Sequence, residues 1–471
     1  MNYSNENKDR REFLGDCGKM TGVAALASVI NLSTLGSVAA QTTSHNGDFR
    51  AIVNVLLNGG ADSFSFIAPA DEEQFQRYKD LRRSVAFPRE GFTEVASEKD
   101  GNFLINNKMA DVINMYNAGD LSFVAGVGTL ITPINAETNF RGRTPGALGS
   151  HSDQLNTWQT SIPQRNKGSL SGTGWIGRLT EILHETHNSD QLFTSNIALG
   201  SAKSLVGRNT IPLKVGMNGP NVLNAYNFAK PKALMDLDLE HQYGAILHNH
   251  MNALRKKTID ARKTLQQLVK SVKINTAFPD TNLGNQLKQV AKYIKVHKAM
   301  GANRQTFTVE DGKYDNHSGT KSKIGAKMPQ ISQALNAFNK AMKEIGLHDN
   351  VLTFISSDFG RMLTPNGSGT NHGWAGNSLV MGGAVQPNRC IGKYPDLTPG
   401  AAIFRRTSRP LPQIGTDQFF GALAYWFGVD NDANMELMLP NIRNFKSATG
   451  VTPYEPFLGL VTRESLVGRH G

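Results

Sequence analysis

Ala51-Ile52-Val53-Asn54-Val55-Leu56-Leu57 is almost wholly apolar and stops at Asn58-Gly59-Gly60. A run this short and this apolar reads as a strand buried on both faces. The pattern returns at Leu121–Ala125, Asn196–Gly200, Thr306–Val309, Val351–Ile355 and Ser378–Met381. Between these runs the apolar period changes from two to near 3.6. Helices are predicted over Met109–Asn117, from Gly174 to about His184, over Met328–Gly346 and over Asp417–Phe427. In residues 231–300, Tyr243, Ile246, Leu247, Met251 and Leu254, then Ala261, Leu265, Leu268 and Val269, keep helical spacing. Lysines and arginines fill the opposite face, so this stretch reads as a helical insertion or layer. No internal repeat interrupts the alternation of strand and helix, which is the pattern of an α/β domain.

The strand ends carry the candidate chemistry. Asp62 follows the first strand after a pair of glycines. Asp315 and His317 follow Thr306–Val309, and their spacing in an extended segment points both side chains one way. Asp358 follows Val351–Ile355, and His372 returns one Gly- and Ser-rich loop later. Ligand sites of open α/β sheets lie outside the carboxyl ends of strands. Strands of one parallel sheet would bring these groups to one edge. Three aspartates gathered there repel one another unless a cation neutralises them. Mixed Asp and His ligation suits zinc, manganese or iron, whereas oxygen-only ligation suits calcium or magnesium. The plainer reading makes Asp358 a helix N-cap and His372 a surface loop residue.

Residues 1–47 read as a targeting segment. Arg10-Arg11-Glu12-Phe13-Leu14 resembles a twin-arginine export signal, Met20–Leu35 is a run of small apolar residues, and Val38-Ala39-Ala40 offers a cleavage site after Ala40. Asn31, Ser33 and Thr34 break the run, so it is too weak for a stable membrane span. The expected location is periplasmic or secreted, as a domain covering residues 48–471. The net charge of +11 survives removal of the leader, because four basic and four acidic groups cancel within it. With no long Lys/Arg block and no nucleic-acid-binding motif, nucleic acid is not an expected partner. The surplus leaves a polysaccharide-binding role open. Cys17 lies in the leader, so Cys390 alone remains and cannot form an internal disulfide. Near the C-terminus, Arg405, Arg406 and Arg409 mark an arginine-rich loop.

Taken together, LLNGGAD ending at Asp62, the Ser150-His151 segment with Trp158, GWIGR around Trp175, YDNH at 314–317 and SSDFGR…NGSGTNHG at 356–373 resemble the DUF1501 family of exported, sulfatase-like proteins in the alkaline phosphatase superfamily. The resemblance implies an alkaline phosphatase-like three-layer α/β fold, a mostly parallel mixed sheet with helices on both faces. It also implies a metal-dependent hydrolase of phosphate or sulfate esters, acting on a small-molecule or polysaccharide ester. By position, Asp62 and Asp358 would hold one metal, and Asp315, His317 and His372 the other. Zinc is the first expectation, with manganese or calcium as alternatives. Arg361 would bind the oxyanion, His151 would contact substrate, and Ser150, with Thr144 nearby, stands where a nucleophile belongs. Relatives usually carry Glu at the position of Asp358, Thr at Asn316 and Gln near Thr320. A sulfatase Cys-x-Pro-x-Arg motif is absent, so formylglycine chemistry is unsupported. The rival expectation is a non-catalytic, metal-stabilised binding or assembly protein of the cell envelope.

Overall fold

Every residue of β1 (Arg50–Leu57) is buried, and successive side chains enter two different cores. Val53, Val55 and Leu57 join one cluster, and Ile52 joins the other. That alternation fixes a sheet covered on both faces. The computed structural model describes residues 49–134, 144–164, 172–188, 194–217, 219–220, 229–392, 394–398, 408–445 and 459–460. These belong to one unit, Gly47–Gly471. The expected leader at 1–40, with Cys17, lies outside the described residues, as do Arg405 and Arg406.

After β1 come β2 (Ile67–Pro69), α1 (Glu72–Arg82), β3 (Phe92–Val95), β4 (Phe103–Asn106), α2 (Ala110–Asn117) and β5 (Leu121–Gly128). Then follow α3 (His151–Thr160), α4 (Trp175–His187), β6 (Asn196–Ala198), β7 (Leu213–Gly216) and β8 (Gly219–Pro220). Three helices, α5 (Ala229–Glu240), α6 (Ile246–Ser271) and α7 (Asn282–Lys295), precede β9 (Arg304–Asp311). The chain continues through α8 (Thr320–Glu344), β10 (Val351–Ser357), the hairpin β11 (Arg361–Pro365) and β12 (Thr370–His372), and β13 (Gly376–Met381). It closes with β14 (Cys390–Ile391), β15 (Ile414–Gly415), α9 (Thr416–Phe427) and α10 (Asp432–Met438).

Among the described residues, ten strands form the main sheet in the order β14-β5-β13-β10-β1-β9-β6-β7-β8, with β15 also on β5. The central pairs β10–β1, β1–β9, β9–β6 and β6–β7 are parallel, while β13 runs against both β10 and β5. On one face α2, α7 and α8 cover the sheet through Val112, Leu287 and Leu335. On the other, α4 and α9 cover it through Trp175, Ile176, Phe419 and Phe420. The architecture is a three-layer α/β fold on a mixed, mostly parallel sheet. Two elements depart from the sequence reading. The polar region after β1 holds α1 and a separate antiparallel sheet β2-β4-β3. The loop predicted between Asp358 and His372 is the hairpin β11–β12, which pairs Arg361 with His372. Its Gly- and Ser-rich sequence hides strands only five and three residues long. Among the described residues, no helix is long and apolar enough to cross a membrane.

Candidate metal centre

Leu57 pairs with Ser357 on one side and with Asp311 on the other. The strands β1, β10 and β9 therefore end on one rung, and the loops that follow them meet. Two glycines make the meeting close. Gly59 and Gly60 have φ of +116° and +71°. A Cβ at Gly59 would stand 2.7 Å from the Asp315 amide nitrogen, and one at Gly60 2.3 Å from a Phe359 ring carbon. Both the left-handed backbone and the space require glycine here.

Three imidazoles and one carboxylate converge on this rim. Among the described residues, ligand atoms of His151, Asp315 and His372 lie within 4.8 Å of one another. His151 Nε2 stands 3.4 Å from Asp315 Oδ2. His372 Nε2 is 3.3 Å from Asp315 Oδ1, and His317 Nε2 is 2.9 Å from both Asp315 Oδ1 and His372 Nε2. The far nitrogens fix the tautomers. His151 Nδ1 is 2.8 Å from Asp358 Oδ2, and His372 Nδ1 is 2.7 Å from the Gly149 carbonyl oxygen. A carboxylate and a carbonyl only accept, so both Nδ1 atoms donate. The Nε2 lone pairs are thereby left facing the centre, the arrangement that outer partners give to metal-binding histidines. Burial depresses the His372 pKa against the pull of its Gly149 hydrogen bond, with the Arg361 charge adding to the depression, which favours the neutral ring a metal needs. Phe359 lies beneath both rings, its centroid 4.8 Å from His151 and 4.6 Å from His372.

This set fits a divalent cation. The sharpest sign is His151 Nε2, a buried nitrogen with no hydrogen-bond partner, aimed at the Asp315 carboxylate. Two imidazole Nε2 atoms 2.9 Å apart beside a carboxylate point the same way. The side chains of Asp315 and His317 are 44% and 47% exposed, so the centre opens to solvent on one side. Partial burial raises the Asp315 pKa, but the Arg361 hydrogen bond and charge, then His151 and His317, outweigh it and hold the carboxyl at about 2. The ligand is thus ionised at any working pH.

The structure brings together Asp315, His317 and His372 from the predicted ligands, adds His151, and sets the others elsewhere. Asp358 is fully buried. Its Oδ1 accepts from the Gly59 amide at 3.1 Å and its Oδ2 from His151 Nδ1, so it orients the His151 ring. It caps no helix, because β11 follows it. Asp62 turns inward. Arg82 Nη1 donates to its Oδ1 at 3.2 Å, and Oδ2 takes both Arg82 Nη2 and the Ser65 hydroxyl. Burial opposes the Arg82 charge, yet Asp62 more than compensates, and the guanidinium pKa is raised.

Arg361 is not an open oxyanion binder. It is wholly buried and donates to the carbonyls of Gly59, Gly60, Tyr314 and Thr370 and to Asp315 Oδ1. It ties the Gly59–Gly60 turn and β12 to the segment that carries the ligand carboxylate. Ser150 caps α3. Its hydroxyl accepts from the Asp153 amide and donates to the Asp153 carboxylate. The sequence held a signal for this cap, because Ser150 and Asp153 have N-cap and N3 spacing. Nothing in the sequence marked Arg82 as the partner of Asp62, since a charged residue ending a polar helix reads as solvated.

The sequence profile of the family described as "Protein of unknown function (DUF1501)" matches residues 50–403. No curated protein matches the chain. Among solved structures, Ps i-CgsB in complex with k-i-k-neocarrahexaose is 12% identical with a TM-score of 0.36, over 84% of this chain and 77% of its own. The PsFucS1 sulfatase from Pseudoalteromonas sp. is 10% identical with a TM-score of 0.30, over 79% and 68%. A mutant of the alkaline phosphatase PafA is 12% identical with a TM-score of 0.27, over 67% and 64%. Likenesses that loose say nothing of this chain's chemistry.

Proposed function

We propose that this chain, which belongs to the DUF1501 family, is a metal-dependent hydrolase of phosphate or sulfate esters that works at the imidazole–carboxylate centre. One observation carries the reading: the Nε2 atoms of His151, His317 and His372 are turned on the Asp315 carboxylate, with His151 Nε2 buried and unpartnered. Three imidazoles and one carboxylate suit zinc, with manganese next, and suit oxygen-seeking calcium poorly. A divalent cation held there supplies Lewis acidity toward an ester oxygen and lowers the pKa of water.

The chain's own residues do the rest. Asp358 and the Gly149 carbonyl hold two imidazoles in the tautomer that turns the Nε2 lone pair inward. Arg361 keeps Asp315 ionised and aimed. Phe359 gives the rings an apolar floor, and the exposed side of Asp315 and His317 leaves an approach for the ester. Water attacking phosphorus or sulfur releases the alcohol and the inorganic anion. The choice of ester, on a small molecule or a polysaccharide, rests on the family motifs. Export by a twin-arginine leader belongs to the same proposal, and exported material should begin near Gln41.

The test is turnover of a panel of aryl phosphates and sulfates by zinc-loaded protein. Turnover should vanish on chelation and in His372→Ala, and return to wild type with added zinc. A fully loaded protein that hydrolyses none of the panel sinks the enzyme reading. A second reading, a non-catalytic metal-stabilised binding protein, is favoured by one fact: Ser150 and Arg361, the expected nucleophile and oxyanion binder, are both committed to the fold. Zinc that raises the melting temperature without any turnover selects that reading.

A further inference from the structure

The family resemblance implies two cations at the rim, and among the described residues the structure gathers ligands for one. The first centre has lone pairs to spare. The carboxylates meant for a second cation are buried, and both oxygens of each are already held by fixed donors. Asp62 is 1% exposed, and its two oxygens accept three hydrogen bonds, two from Arg82 and one from Ser65. Asp358 is fully buried, one oxygen on the Gly59 amide and the other on His151 Nδ1. No buried polar atom of either carboxylate is left unpartnered. A guanidinium and a carboxylate match in shape and charge, and Arg82 presents its two terminal nitrogens to the two oxygens as a fork. Arg82 comes from the end of α1, is wholly buried, and lies 5.6 Å from the Tyr78 ring centroid.

We propose that this protein holds a single divalent cation, and that the Arg82 guanidinium fills the place a second cation would take beside Asp62. The proposal rests on the metal-centre reading above. Its physical content is that a fixed positive side chain neutralises Asp62 permanently, whereas a metal would do so only when bound. The rim therefore carries one fixed positive charge where a second divalent cation would bring two, enough to offset Asp62.

The test counts metal in the full chain. Protein is stripped with a chelator, reloaded with excess zinc, freed of unbound metal, and measured by elemental analysis and native mass spectrometry. One equivalent per chain sustains the proposal. Two equivalents overturn it and leave the metal-centre reading standing. None overturns both. A double variant, Asp62→Asn with Arg82→Met, removes both charges together, so no buried charge is stranded. It should keep one equivalent, with zinc affinity within roughly threefold of wild type. That is far short of the roughly 10- to 100-fold loss that follows damage even to an outer partner of a ligand. Loss of the metal from the double variant makes Asp62 a ligand and overturns the proposal.

Discussion

Replacing Arg361 with methionine separates a structural arginine from a substrate-binding one. The side chain makes five hydrogen bonds, of 2.7 Å to Gly60 O, 3.1 Å to Thr370 O, 2.8 Å to Gly59 O, 3.0 Å to Tyr314 O and 2.7 Å to Asp315 Oδ1. Methionine keeps much of the stem and deletes every donor. Each buried acceptor left alone costs about 1–3 kcal/mol. The Asp315 share is smaller, because that carboxylate is 44% exposed and screened by solvent. Water at the rim will satisfy some of the carbonyls, so the full sum overstates the loss. Roughly 3–5 kcal/mol is expected, as when a buried charged pair loses one member. Against a total stability of about 5–15 kcal/mol the variant should fold, but with a clearly lower urea midpoint at pH 7. Its zinc affinity should fall by roughly 10- to 100-fold, because Asp315 loses its anchor. The acid limb should change as well. With its folded pKa at about 2 against 3.8, Asp315 contributes stability above pH 3.8 that is lost as pH falls through about 2. The variant should lose less in that window. Unchanged stability and metal binding with turnover abolished would refute this reasoning and return Arg361 to the oxyanion.

Three further perturbations probe other parts of the argument. Asp358→Asn can turn an amide toward His151 Nδ1 and shift the ring proton to Nε2; zinc affinity should fall by roughly 10- to 100-fold in a chelator competition, and wild-type affinity would deny Asp358 its orienting part. Ser150→Ala should cost about 1 kcal/mol as a lost helix cap and leave turnover near wild type, whereas a loss of several orders in kcat would make Ser150 the nucleophile after all. Asp417, buried at the start of α9, has its pKa pushed up to about 7 by burial, against the pull of Ser161, Asn441 and Arg178. Between 3.8 and about 7 the folded state keeps a proton that the unfolded state releases, so stability falls as pH rises through that window and levels off above it. Asp417→Asn should flatten the dependence in urea midpoints compared at pH 5 and pH 8, and an unchanged slope would count against that assignment.

The strands and most of the helices were legible because burial leaves a local mark. Val53, Val55 and Leu57 face one core and Ile52 the other, and an apolar run records that without knowledge of its neighbours. α8 and α9 announced themselves through helical spacing in the same way. The short hairpin β11–β12 did not, because its pairing depends on partners across a turn and not on an apolar period.

For the site, the sequence determined which groups reach the rim. A carboxylate or histidine just beyond a parallel strand is carried to that edge, as Asp315, His317 and Asp358 are, and the β11–β12 hairpin brings His372 back to it. Tertiary structure decided what each group does there. Asp62 and Asp358 look alike in sequence, yet one faces Arg82 and the other His151, and no local pattern encodes a partner some 20 or 207 positions away. A buried carboxylate is aimed by whichever donors the fold sets against its oxygens, and only the packed chain shows which donors those are.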